Sequence, residues 1–321
     1  MIVISRIGSP YQIRLSSSDY RKLVGSKRFK ERAIDILFIV MLNNQLETAA
    51  QNSLGKYVGK AEALRPLYLQ PDRAIFLAND SGLVLKVYLD KTALQKEFEV
   101  AKLAQAVGVP TPEIIGLDID ECTVLTMKKV AGSPLSIDNK NSVEEAGRYL
   151  KQFHNIGAKL PFSGGQNKWD DFILWWTFKE IDSLFELSMC NTMERDELKD
   201  RFKKIKPLLE TRPVVLLHGD LQKDHIIVDP EVDKVKAFID FADAQPGDPL
   251  LDIAVLTLWN HELTPLLLEG YGTIEDNEEM QTIISHYRLL RHIAEIPWLY
   301  SRGYKELANK NMLCVKEAII S

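Results

Sequence analysis

Leu216-Leu217-His218-Gly219-Asp220-Leu221-Gln222-Lys223-Asp224-His225-Ile226-Ile227-Val228 sets a polar loop between two short apolar runs. A loop pinned at both ends by strands holds its side chains in place, and chemistry-bearing residues collect on such loops. A little further on, Ala237-Phe238-Ile239-Asp240-Phe241-Ala242-Asp243 ends another apolar run on a carboxylate. Two strand ends in a hairpin bring Asp220, His225 and Asp240 together.

Outward from this block the pattern is mostly helical. Apolar residues recur at helical spacing over 143–156, 169–187, 193–209, 250–258 and 278–300, interrupted by short apolar strands at 214–217, 226–228 and 235–239. Upstream the texture is β. Residues 67–70, 74–78 and 83–89 form a meander with turns at Pro71-Asp72-Arg73 and Asn79-Asp80-Ser81-Gly82, and Lys86 lies in its last strand. A helix over 92–107 stops at Gly108, Pro110 and Pro112, and strands at 113–117 and 123–129 follow. Residues 18–53 read as a helix that Ser18 and Asp19 can cap. Strands first and helices later predict an α+β protein of two lobes. The expected divisions are an N-terminal helical extension over 1–58, a β-rich lobe over 59–130, and a helical lobe over 131–321 that carries the polar loop.

A chain of 321 residues exceeds what one compact core holds, and 45% hydrophobic with 26% charged residues is ordinary for a globular protein. A net charge of −5 argues against gripping nucleic acid by its phosphates. Cys122, Cys190 and Cys314 are far apart and lack metal-ligand spacing, which suits a reducing cytoplasm better than a disulfide framework. Met1–Pro10 has no apolar core of signal-peptide length. The run from Ala33 to Leu42 is broken by Asp35 and is far short of the ~20 residues that span a bilayer, so no membrane partner is expected.

Phosphoryl transfer needs a carboxylate near the attacking hydroxyl, oxygen or nitrogen ligands for magnesium, and a cation on the nucleotide phosphates. This chain offers each. His218-Gly219-Asp220 with His225 five positions after the Asp, then Ile239-Asp240-Phe241, then Gly247-Asp248-Pro249-Leu250-Leu251-Asp252, resembles the aminoglycoside phosphotransferase and choline kinase family. The resemblance spans roughly residues 60–300, and the block from Leu217 to Ala254 is its specific part. It implies a protein-kinase-like fold and a phosphotransferase that uses ATP or GTP with Mg2+ on an alcohol acceptor. Carried over by position, it implies Asp220 as the catalytic carboxylate and Asp240 and His225 as magnesium ligands. It likewise puts Lys86 on the α- and β-phosphates with Glu97 as its partner, and the backbone of Met127, Lys128, Lys129 and Val130 at the adenine. Asp248 and Asp252 match positions that brace the catalytic loop, and His218 reads as a further brace. Two positions depart from the family pattern. His225 stands where Asn is usual, and imidazole suits magnesium less well than oxygen does. The phosphate-covering turn, Gln70 to Arg73, holds no glycine, so a grip there rests on backbone amides or Arg73.

Each residue also has a plainer reading. Lys86 alone would be a solvated strand lysine, and Asp220 alone a turn residue; the ordered set gives them function. His154 reads as a packing and hydrogen-bonding histidine. Trp175 and Trp176, with Glu180 and Glu262, are candidates to meet an acceptor, although an aromatic stripe at helical spacing is more often core and exposed acids are usually a solvated face. A two-metal phosphoesterase is disfavoured, since the chain shows neither an upstream Asp-x-His nor a late His-x-His. A catalytically silent nucleotide-binding regulator on the same fold stays as the alternative. The acceptor is open among aminoglycosides, macrolides, choline-like amino alcohols, homoserine and sugars, with the acidic balance and His225 favouring an antibiotic-like or other amino-bearing alcohol.

Overall fold

A computed structural model describes residues 27–60, 62–157, 166–272 and 277–320. The chain divides into two compact units, one drawn from residues up to 90 with 118–126, the other from 91–117 with 127–321.

The first unit is a sheet backed by one long helix. Helix α1 (Lys27–Val58) continues past the expected end at 53, while its expected caps, Ser18 and Asp19, lie outside the described residues. Strands β1 (Leu64–Gln70), β2 (Arg73–Ala78) and β3 (Leu83–Tyr88) form the expected antiparallel meander, with Ile75 opposite Lys86. With β4 (Ile114–Ile119) and β5 (Thr123–Lys128) the strand order is β1-β2-β3-β5-β4, and the chain divides between the units within β4 and β5. Leu46, Ala50 and Leu54 recur at helical spacing on α1 and are fully buried, so this stripe attaches the helix to the sheet. Beside it Ser53 donates to Asp118 at 2.6 Å, and its hydroxyl lies 3.0 Å from that of Thr126. Glu62 is buried and accepts the Asp80 and Ser81 amides, which fixes the turn between β2 and β3.

The second unit is built on helices. Its α2 (Lys91–Ala106), expected with the β-rich lobe, groups instead with this unit and packs on the turn Phe241–Asp243, because Val100, Ala101 and Ala104 belong to its core. A two-residue strand β6 (Ser133–Pro134) precedes α3 (Lys140–His154), α4 (Trp169–Glu186) and α5 (Thr192–Leu209). Then come β7 (Val215–Leu217), β8 (Ile226–Asp229), β9 (Lys234–Phe238) and β10 (Gln245–Gly247), followed by α6 (Leu250–Leu256). The order is β6-β8-β9 in one small sheet and β10-β7 in another. Two helices that periodicity left unassigned complete the unit: α7 (Thr264–Tyr271) and, after α8 (Glu278–Ser301), α9 (Lys305–Ile320). The apolar stripe of α9 is narrow, with only Ala308, Met312 and Val315 buried among apolar positions, too thin to stand out from the sequence. Helix α7 crosses α3 at a point where a Cβ on Gly147 or Gly270 would strike the facing backbone, so the two helices approach as closely as glycine allows. Among the described residues no helix is long and apolar enough to cross a membrane.

Candidate active site

Strand β7 runs into the loop, and α6 holds its backbone. Asp252, on the first turn of α6, is fully buried and accepts the His218 amide at 2.7 Å and the Gly219 amide at 2.9 Å. The Nε2 of His154 on α3 donates to the same carboxylate at 3.1 Å, and its Nδ1 lies 2.9 Å from the Tyr271 hydroxyl. Burial alone would raise the Asp252 carboxyl, but His154, His218 and the amides outweigh it and hold the group below the usual carboxylate range. Gly219 has φ +85°, and a Cβ there would strike the Asp243 carbonyl oxygen, so the loop needs glycine for its conformation and its space.

His218 is 1% exposed, and its Nε2 donates to the Ile239 carbonyl at 2.9 Å. Burial pushes its imidazole down and keeps it neutral. Asp248 is likewise fully buried. Arg212 grips it with two nitrogens at 2.9 and 3.2 Å, Tyr287 donates to it at 3.0 Å, and it caps α6 through the Leu250 amide at 3.0 Å. Burial raises this carboxyl, with Arg212 opposing. The run Gly247–Asp252 thus places two buried carboxylates at one helix start, one holding the loop and the other held by Arg212.

On this frame stand the three residues expected to work together. Oδ1 of Asp220 accepts from Arg291 Nη2 at 2.6 Å and from Gln222 Nε2 at 3.1 Å. His225 Nδ1 donates to the Asp220 backbone carbonyl at 2.6 Å. A carbonyl can only accept, so Nδ1 carries the proton of this bond and Nε2 is the nitrogen left to face other groups. That Nε2 lies 3.7 Å from Asp240 Oδ2, too far for a hydrogen bond. Asp240 itself holds φ +69°, a left-handed conformation that Asp tolerates better than most residues, directly after β9. The Ile239 amide donates to the His225 carbonyl at 2.9 Å and ties the two segments together.

His225 Nε2 and Asp240 Oδ2, 3.7 Å apart, are two side-chain atoms that could hold a magnesium ion. A histidine whose other nitrogen donates to a backbone carbonyl is oriented as metal-ligating histidines are. Magnesium commonly takes one or two protein ligands and fills its shell with phosphate oxygens and water. Among the described residues no group of three or more His, Cys, Asp or Glu forms a cluster that would hold a metal by protein alone.

The remaining candidates are distributed over both units. Lys86 is buried in β3 of the first unit, and Glu97 is buried on α2 of the second. Met127 is buried at the end of β5, and the exposed Lys128 pairs with Glu113 at 2.7 Å. Lys129 is exposed and Val130 half-buried. In the glycine-free turn Arg73 is engaged by Asp72 at 2.9 Å and lies over the Tyr88 ring. Trp175 is exposed on α4 against Phe172 and Lys179, Trp176 packs half-buried on the core, and Glu180 pairs with Lys179 at 3.4 Å. Glu262 is exposed on the turn His261–Leu263.

Sequence reading missed Arg291, Glu295 and Arg212. Arg291 and Glu295 lie four apart on α8, among the buried Leu290, Ile293 and Ile296. Charge at helical spacing on an apolar face was the signal available.

The fold is α+β and protein-kinase-like. The family model described as "Phosphotransferase enzyme family" matches residues 71–282, and the chain belongs to that family. No curated protein matches it. Among solved structures, an aminoglycoside phosphotransferase, APH(2")-IIIa in complex with GDP and kanamycin, is similar at 18% identity over 85% of this chain and 98% of that one, with a TM-score of 0.67. A choline/ethanolamine kinase family protein from Mesorhizobium loti is similar at 18% identity over 86% and 95%, with a TM-score of 0.65. ADP-bound aminoglycoside phosphotransferase APH(2'')-Ib is similar at 20% identity over 82% and 95%, with a TM-score of 0.60.

Proposed function

We propose that the protein is a small-molecule kinase that moves the terminal phosphoryl group of ATP or GTP onto a hydroxyl of a small acceptor. The observation that carries this reading is that Asp220 and Asp240, from the braced loop and from the end of β9, both lie within 4 Å of His225, in a chain of the phosphotransferase family. Asp220 receives the acceptor hydroxyl on Oδ2 and takes its proton as the oxygen bonds to the terminal phosphorus and the nucleoside diphosphate leaves. His225 and Asp240 would hold Mg2+, which would supply neutralisation of phosphate charge when bound. Lys86, Glu97 and backbone of residues 127–130 serve the nucleotide. His218, Asp248 and Asp252 keep the loop in shape.

The acceptor is an amino-bearing alcohol of the aminoglycoside, macrolide or amino-alcohol kind. A net charge of −5 suits a cationic ligand, and the similar solved structures include a kanamycin complex and a choline/ethanolamine kinase family protein. A second reading, a nucleotide-binding regulator without turnover, draws on the turn at residues 70–73, which lacks glycine and whose Arg73 is engaged by Asp72.

The test is nucleoside-diphosphate release with ATP or GTP and magnesium over a panel of hydroxyl-bearing amines, macrolides and amino alcohols. One acceptor raises turnover well above background in the wild type, and Asp220→Ala lowers that turnover by about 10³-fold with its thermal midpoint nearly unchanged. Nucleotide binding with no turnover on any acceptor would favour the regulator.

A further inference from the structure

The braces around the loop hold its backbone: Asp252 takes the amides of His218 and Gly219, and Asp220's own carbonyl is engaged by His225. None of them fixes the rotation of the Asp220 side chain. Two other groups do that, and both bind the same oxygen, Arg291 Nη2 at 2.6 Å and Gln222 Nε2 at 3.1 Å on Oδ1. Among the described residues no hydrogen bond reaches Oδ2, which lies 3.9 Å from His225 Nδ1, so this oxygen has the capacity to take a hydroxyl proton.

Arg291 is well placed to anchor. Its side chain is 13% exposed on α8, and its Nη2 also lies 3.5 Å from Glu295 Oε1. Glu295 Oε2 accepts from Asn311 Nδ2 on α9 at 3.4 Å, and Asn311 is tied to Leu307 O at 3.2 Å and to His292 Nδ1 at 2.6 Å. A guanidinium that sits between two carboxylates is already neutralised, which argues against a site for an anionic acceptor. A charge-assisted hydrogen bond in a poorly hydrated place is strong and directional.

The geometry points to Arg291 as the positioning residue of the phosphotransfer reaction: it locks the Asp220 carboxylate by Oδ1 so that Oδ2 is presented to the acceptor hydroxyl, and Glu295 holds it in place. This rests on the reading of Asp220 as the catalytic carboxylate. A tilt of the carboxylate by ~1 Å is enough to cost ~10²-fold in rate.

The experiment compares wild type, Arg291→Ala, Arg291→Lys and Asp220→Ala with the acceptor that gives turnover. Arg291→Ala is expected to lower kcat by ~10- to 100-fold while the KM for nucleotide stays within ~2-fold. Arg291→Lys restores part of the loss, and guanidinium ion added to Arg291→Ala restores kcat without changing the thermal midpoint. A purely structural role would give no guanidinium rescue. Unchanged kcat, a rise confined to the acceptor KM, or loss that neither Lys nor guanidinium repairs would overturn the inference. Wild-type turnover in Asp220→Ala would instead sink the catalytic reading beneath it.

Discussion

The loop from His218 to His225 and the turn from Gln70 to Arg73 were both expected to face phosphate, yet they are built in opposite ways. In the loop, the amides of two successive residues end on one buried carboxylate, and His154 and His218 beside it are themselves buried and each make a hydrogen bond. In the turn, Asp72 and Arg73 pair as chain neighbours, with side chains 51% and 39% exposed. A buried carboxylate with several donors cannot be altered without stranding some of them, whereas an exposed ion pair exchanges its partner for water at little cost. The loop is therefore rigid by construction, and the turn adaptable.

Asp252→Asn is the sharpest way to break that contrast. The amide keeps the volume but turns an acceptor into a donor facing the His218 or Gly219 amide or His154 Nε2, so about 2–4 kcal/mol of stability should be lost and kcat should fall with it. Chemical denaturation followed alongside turnover checks both; an unchanged midpoint would mean the loop does not depend on this brace.

A smaller effect is expected from pH. Burial pushes the imidazoles of His218, His261, His286 and His292 below their ordinary value of 6.5. Between 6.5 and those lowered values the unfolded chain binds protons that the native one refuses, so the stability these four histidines contribute is full above about pH 6.5 and declines as pH falls below it. Denaturation midpoints at pH 7.5 and pH 5.5 should differ in that direction. His218→Gln, which retains a donor for the Ile239 carbonyl, should make the slope shallower.

The smallest effect belongs to the turn. Arg73→Ala should change stability by no more than about 0.5 kcal/mol. If Arg73 nonetheless grips phosphate, the KM for nucleotide rises while the denaturation midpoint stays put, and the turn is functional despite its exposure.

Much of this was legible in the chain. The helical and strand periods gave α3 to α6 and α8 and the meander β1–β3 to within a few residues, since long apolar stripes and Gly/Pro punctuation act locally. The block from Leu217 to Ala254 carried its own chemistry in residue order. Short elements were harder to see: β6, β10 and α7 exist because neighbours pair or pack with them, and the narrow stripe of α9 reads as polar until α8 covers it.

The sequence alone determined the α+β class, the ordered carboxylates and histidines, and the family, because these depend on local period and on residue type at fixed spacing. Tertiary structure alone decided which polar groups meet. Arg212 reaches Asp248 across 36 positions, His154 reaches Asp252 across 98, and Arg291 reaches Asp220 across 71. No local pattern encodes such pairs, since they form only when helices distant in the chain pack into one core and leave a buried charge needing a partner.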